Sequence, residues 1–227
     1  MTTVDAAGGD AARGTAVELL LLADTHVPRR ARDLPAEVWA AVDAADVVLH
    51  AGDWVDVDLL DALEARARRL VACWGNNDGP DLRARLPEVA RATLGGLRFA
   101  VVHETGPRTG REARCAAAFP DTDVLVFGHS HIPWDTVAPG GLRLLNPGSP
   151  TDRRRQPTGT YLTARVVDGA LRDVTLHPVA PRRPAAPAGG PGGRPAASGP
   201  TSGGAASNGP IARGSAASTS PVVREHG

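Results

Sequence analysis

The chain has 227 residues, 42% of them apolar and 22% charged, an ordinary composition for a globular protein. The 25 basic residues balance 25 acidic ones, and all are arginine, which excludes a lysine nucleophile. Residues 181–227 carry five arginines and one glutamate, a charge of about +4, which leaves about −4 on residues 1–180 of this neutral chain. Neither value is the footprint of a nucleic-acid groove. A mildly acidic domain suits one that must hold cations.

Cys73 and Cys115 form no CxxC pair and read as small buried hydrophobes, with no disulfide framework. Residues 1–16 hold Asp5 and Asp10 without an apolar run and read as a flexible leader. Leu19–Ala23 is too short for a signal-peptide core, and no run approaches the roughly 18–20 apolar residues of a membrane span. The expectation is a cytoplasmic protein that does not enter a membrane.

In chain order, Ala16–Ala23 is nearly continuously apolar, the pattern of a strand buried on both faces, and it ends in Asp24-Thr25-His26. Pro35 opens a helix over Ala36–Ala45, with Val38, Trp39 and Val42 on one face. Asp46–Ala51 is a second strand, ending in Gly52-Asp53, and residues 57–67 form a helix with Leu59, Leu60 and Leu63 inward. Leu70–Trp74 is a third strand, ending in Gly75-Asn76-Asn77-Asp78. Strands alternating with helices predict a parallel sheet, in which functional groups collect at the strands' carboxyl ends.

The pattern then changes. Val89–Leu94 and Leu97–His103 flank a Gly95-Gly96 turn and read as a hairpin. A helix near Arg111–Ala118 leads into the strand Val124–Phe127, followed by Gly128-His129-Ser130-His131. Trp134–Ala138 with Leu142–Leu145 predicts a second hairpin. Tyr161–Val167 with Leu171–Leu176, joined by Asp168-Gly169, predicts a third. A parallel first half joined to an antiparallel second half suggests two packed sheets flanked by helices. Residues 181–227 are Pro, Gly, Ala, Ser and Thr with few large aliphatics, and read as a disordered tail. The domain is therefore placed at 17–180.

Five strand ends deliver candidate metal ligands: Asp24 and His26, Asp53, Asn76, His103, and His129 with His131. A mixture of imidazole, carboxylate and amide donors suits first-row ions rather than calcium. Two such ions, roughly 3.5–4 Å apart, can share a bridging carboxylate and hydroxide and clamp a phosphoryl group. His50, inside a strand, reads as a packed core residue rather than a ligand, and Asp78 as an orienting group. Trp54 reads as a wall of the pocket and Trp39 and Trp74 as core. Arg29 and Arg30 lie near enough to Asp24-Thr25-His26 to meet a phosphate, and the charged segment Asp152–Arg155 either reaches the site or lies in water.

Asp24-Thr25-His26, Gly52-Asp53, Gly75-Asn76-Asn77-Asp78, His103 after an apolar strand, and Gly128-His129-Ser130-His131 resemble the calcineurin-like metallophosphoesterases. The resemblance is strongest to the small bacterial and archaeal phosphodiesterase branch. It runs from about residue 17 to 179 and includes Asn146-Pro147-Gly148-Ser149. It implies an α/β fold, the four-layer αββα sandwich of two mixed sheets flanked by helices. It implies one metal on Asp24, His26 and His131, a second on Asn76, His103 and His129, and Asp53 bridging them. The implied cofactors are two divalent ions, Mn2+ first, with Ni2+, Fe2+, Co2+ or Zn2+ as alternatives.

The implied activity is hydrolysis of a small-molecule phosphoester by a metal-bridging hydroxide, a phosphodiester in preference to a monoester. Asp53 and Asn77 are its catalytic candidates, and Asn77 and Arg29 its candidate substrate contacts. Many relatives carry histidine where this chain has Asn77, which donates a hydrogen bond but not a proton. Glu104 likewise follows His103 where a glycine is common. The alternative is a metal-binding or non-catalytic scaffold of the same fold, as in a subunit of a membrane-trafficking coat. A homo-oligomer is left open.

Overall fold

The structure is a computed structural model that describes residues 16–180; the expected leader (apart from its last residue) and tail lie outside the described residues. Ten strands form two five-stranded mixed sheets. The first sheet has the order β10-β9-β1-β2-β3, from β1 (Val17–Leu22), β2 (Val47–Ala51), β3 (Leu70–Cys73), β9 (Thr160–Val167) and β10 (Ala170–Pro178). The second has the order β4-β5-β6-β8-β7, from β4 (Val89–Leu94), β5 (Leu97–Val102), β6 (Val124–Phe127), β7 (Trp134–Val137) and β8 (Arg143–Asn146). Four helices cover the outer faces: α1 (Ala36–Ala44), α2 (Val57–Arg66), α3 (Pro80–Arg85) and α4 (Arg111–Ala118).

The layering follows from the period-2 side-chain alternation of a strand. In β1, Leu19 and Leu21 join Leu49, Val71, Phe99, Val101 and Val126 in the core between the sheets. Leu20 and Leu22 point the other way, into a second core with Val38 and Val42 of α1 and Leu59, Leu60 and Leu63 of α2. On the far side, Leu125, Phe127 and Leu144 pack with Cys115 of α4. Both cysteines are free and buried. The result is the expected four-layer αββα sandwich.

The expected division into a parallel half and an antiparallel half does not hold. The last hairpin returns to the first sheet, where β9 pairs antiparallel with β1. Leu162, Ala164 and Val166 of β9 then face the same inter-sheet core as Leu19 and Leu21, which covers an otherwise open edge of β1. In the second sheet, β6 runs parallel to both β5 and β8. Helix α3 has no counterpart in the sequence reading. Its only signal is Gly79-Pro80, a proline at the first helical position, and it buries just Leu82.

Trp54 lies in the core rather than on a pocket wall, while Trp39 packs partly buried against the helix-side core. Trp54 is wholly buried, stacks on His50 at 3.5 Å between ring centroids and donates its Nε1–H to Cys73 O at 2.9 Å. Trp39 and Trp74 are half-buried and lie under the guanidinium groups of Arg66 and Arg83. Their large rings sit at the margin of the helix layer, where arginine stems cover them. No helix among the described residues is long and apolar enough to cross a membrane.

Candidate metal centre

The carboxyl ends of β1, β2 and β3 in one sheet and of β5 and β6 in the other open onto the same edge of the sandwich. Asp24, Asp53 and Asn76 leave the first three, and His103, His129 and His131 leave the other two. The loops turn sharply to present these side chains. Asp24, His26, Asp53, His129 and His131 all have left-handed φ values, between 46° and 68°. That conformation is uncommon away from glycine and is held only where the surrounding structure over-determines it. Close packing of the loops adds a second constraint. A Cβ on Gly75 would lie 2.3 Å from Asp53 Oδ1, and one on Gly128 would lie 3.0 Å from Asp24 Oδ2.

Two groups of donor atoms result. In the first, His131 Nε2 lies 3.3 Å from Asp24 Oδ1 and 3.2 Å from His26 Nε2, which is 3.5 Å from Asp53 Oδ2. In the second, Asn76 Oδ1 lies 2.9 Å from His103 Nε2 and 3.0 Å from His129 Nδ1, and Asp53 Oδ1 lies 3.3 Å from His103 Nε2. The two oxygens of Asp53 therefore face different groups. All seven sequence-derived ligand candidates are brought together.

The tautomers follow from the partners. His103 Nδ1 lies 2.7 Å from Ala51 O, and His131 Nδ1 lies 2.6 Å from Asp152 O. A carbonyl only accepts, so each Nδ1 carries the proton, and the neutral rings turn the Nε2 lone pair inward. The Nε2 atoms of His103 and His131 thus face the other donor atoms, and Asp24 Oδ2 is buried with no hydrogen-bond partner among the described residues. First-row ions bind nitrogen and oxygen ligands at about 2.0–2.2 Å, which sets neighbouring donors roughly 3 Å apart. The donor types and separations fit two divalent cations.

The electrostatics agree. Burial pushes the Asp24 carboxyl up to about 8, against the pull of the nearby His103 and the His129 N–H. Burial acts on Asp53 as well, but the hydrogen bond and charge of His103, helped by Asn77, hold it well below the usual carboxylate range. Burial pushes His131 down to about 4. Burial also opposes a charge on His103, yet Asp53 and Asp24 raise it above its ordinary value.

The other expected residues divide. Asn77 donates its Nδ2–H to Asp53 Oδ2 at 2.6 Å and its backbone N–H to Asp53 Oδ1 at 2.9 Å. Asp78 accepts from the backbone N–H groups of Asp53, Val55 and Gly75, as an orienting group should. His50 is buried and bonds Thr25 Oγ1 at 3.1 Å. Arg29 is exposed and makes no ion pair or side-chain hydrogen bond with the described residues, whereas Arg30 lies 3.3 Å from Asp152. The segment Asp152–Arg155 does reach the site: besides the Asp152 carbonyl on His131, Arg154 Nη1 donates to His129 O at 3.3 Å. A cleft of about 1020 Å³ opens beside this segment, between Arg30, Thr151, Arg153 and Val179, and not over the donor atoms.

Ser149 and Asn146 have roles that the residue reading did not supply. Ser149 Oγ donates to Asp24 O, and Asn146 Nδ2 donates to Gly128 O at 2.8 Å. The available signal is their position at and just past the carboxyl end of β8, beside β6 in the same sheet.

The family model of the calcineurin-like phosphoesterase superfamily domain matches residues 17–169. The chain belongs to this superfamily. A probable metallophosphoesterase of Methanocaldococcus jannaschii is 36% identical over 132 residues, 58% of this chain and 67% of that one. Another, from Methanothermobacter thermautotrophicus, is 33% identical over 159 residues, 69% of this chain and 89% of that one. Among solved structures, a Thermotoga maritima protein is 32% identical with a TM-score of 0.59, covering 72% of this chain and 99% of that one. Vps29 of Entamoeba histolytica complexed with zinc shares the fold at 22% identity and a TM-score of 0.58, covering 71% of this chain and 98% of that one. The superfamily is one of phosphoesterases that use divalent metals, and the donor groups described above are of the type such metals require.

Proposed function

We propose that the protein is a two-metal phosphodiesterase acting on small-molecule phosphoesters, and that it works in the cytoplasm. The observation that carries this reading is the division of Asp53, whose two oxygens face two separate donor groups. Asp24, His26 and His131 would hold one ion, Asn76, His103 and His129 the other, and Asp53 would be shared. Mn2+ is the favoured pair, because oxygen and imidazole donors are mixed and no thiolate is present. When bound, such ions lower the pKa of water toward neutrality and draw charge from the phosphoryl oxygens.

The chain's own residues orient and position. His103 and His131 are fixed by their Nδ1–H bonds to main-chain carbonyls, so neither ring can flip away from the centre. Asn77 holds Asp53 ionised and correctly turned, and donates no proton of its own. A leaving group opposite Asn77 departs without general-acid help from that position, which favours esters with good leaving groups and diesters over monoesters. Arg154, tied to the His129 carbonyl, and Arg29, which forms no ion pair among the described residues, are the cations offered to a phosphate.

The test is hydrolysis of an activated aryl phosphodiester by protein loaded with Mn2+, alongside a matched monoester. Asp53→Ala and His129→Ala should each abolish turnover, and unchanged turnover in either variant would sink the mechanism. Full metal occupancy without hydrolysis of any phosphoester would leave the scaffold alternative.

A further inference from the structure

The residue after His103 is not a bystander. Glu104 places Oε1 3.5 Å from His129 Nδ1, the atom that also faces Asn76 Oδ1 at 3.0 Å. His103, Glu104 and His129 can each direct one donor atom into a common small volume. Glu104 forms no ion pair with any arginine among the described residues; the group its carboxylate faces is the His129 imidazole. It is also presented from a tethered loop. Arg114 donates to the carbonyls of Thr105, Pro107 and Thr109, and Arg111 to that of Gly106. These bonds fix the segment that follows Glu104 from behind.

Charge separates the two donor groups. The first has a carboxylate of its own, Asp24, beside the shared Asp53. The second, without Glu104, has only neutral donors, Asn76, His103 and His129, beside Asp53. A divalent cation there would be held by half of one carboxylate and three dipoles. Affinity for hard cations rises with the number of charged oxygen ligands.

We propose that the Glu104 carboxylate is a further ligand of the second metal position, the one anion that belongs to that position alone. This rests on the two-metal reading above. It equalises the charge at the two positions and adds an oxygen donor to the second, which biases it toward Mn2+ or Fe2+ over softer ions.

The experiment is titration of metal-free protein with Mn2+ by calorimetry, checked by the spin-coupled Mn2+ resonance signal of a filled pair. Wild type should bind two ions. Glu104→Gln keeps the shape and removes the charge; it should weaken one site at least about tenfold, leave the other unchanged, and lose the coupled signal at two equivalents. The loss should persist in 0.5 M salt, where exposed charges are screened. Wild-type affinity at both sites of Glu104→Gln, or a loss that vanishes at high salt, would overturn the assignment. Thermal unfolding of the metal-free variant should match wild type, since Glu104 is a half-exposed side chain at the rim. A wild-type protein that binds fewer than two ions refutes the two-metal reading instead, and is distinguished by stoichiometry alone.

Discussion

Ser149 Oγ donates a 2.7 Å hydrogen bond to the main-chain carbonyl of Asp24, across 125 residues of sequence. The same oxygen accepts from the backbone N–H of Asp152 at 2.8 Å, and the Asp152 carbonyl holds His131. One buried hydroxyl therefore links the two sides of the first donor group. Ser149→Ala leaves the Asp24 carbonyl and the Asp152 N–H without this partner. The expected cost is about 1–3 kcal/mol of stability by denaturant unfolding. Metal affinity should fall about 10–100-fold, as for other groups that orient ligands. Wild-type affinity in the variant would show that the Asp24 loop is held by other contacts.

Metal affinity should depend on pH through Asp24. Burial raises its carboxyl to about 8, so below that value the metal-free site holds a proton that a cation must displace. The raised His103 acts in the same direction. Apparent affinity should climb between pH 6 and 8, by up to about tenfold per unit for each proton released, and the Asp24 contribution should then level off. Calorimetry at pH 7 in two buffers of different ionisation enthalpy measures the released proton directly. The stability of the metal-free protein runs the opposite way: because the folded value lies above the unfolded 3.8, this group's contribution is fully present below about 4 and is lost as pH rises through about 8. The stabilisation added by metal should therefore widen over that window, read as the shift in melting temperature. An affinity that is flat from pH 6 to 8 would contradict an Asp24 buried as described.

The floor of the site is a separate matter from its chemistry. Trp54 is completely buried between His50 and the helix layer, one residue beyond Asp53. Trp54→Ala should cost about 3–5 kcal/mol, from lost burial and the cavity it leaves. Trp54→Phe keeps most of the packing but leaves Cys73 O without its Nε1–H donor, for about 1–3 kcal/mol. Equal losses in the two variants, measured by urea unfolding, would mean that the ring contributes little beyond its hydrogen bond.

What could be read from the sequence divides along physical lines. The apolar runs fixed β1, β2, β3 and β6, because strands buried on both faces leave no alternation to misread, and the residue types at their ends named six of the seven donor candidates, with His103 following β5. Pairing was harder. Where β9 docks depends on which face of a distant strand is left uncovered, and nothing local to Thr160–Val167 states that it belongs beside β1. The same limit applies to Ser149 and Asp152, whose partners lie 125 and 21 residues away. Trp54 failed for a different reason. Its position after a ligand suggested a pocket wall, but Asp53 has a left-handed backbone, and the next side chain lies in the core behind the donor atoms.

Asn77 stands where the resemblance leads to an expectation of histidine, and its surroundings define what an asparagine does there. It is exposed at the mouth of the site, with its amide 2.6 Å from Asp53 Oδ2. Asn77→His would put a titratable donor at the same mouth and remove the side-chain bond to Asp53, while the backbone N–H bond to Asp53 Oδ1 remains. General acid assistance is worth roughly 10²–10⁴-fold where a leaving group needs a proton. A poor, unactivated leaving group needs it and a nitrophenolate does not. Asn77→His should therefore raise turnover of alkyl phosphomonoesters about tenfold or more relative to the activated diester. The monoester rate should gain an alkaline limb as the new imidazole loses its proton, near its ordinary value of about 6.5. Asn77→Ala, which removes the side-chain bond to Asp53 without adding an acid, should lower both activities together and leave their ratio unchanged. If the ratio shifts equally in Asn77→His and Asn77→Ala, the preference for diesters is set by the shape of the mouth rather than by the missing proton donor.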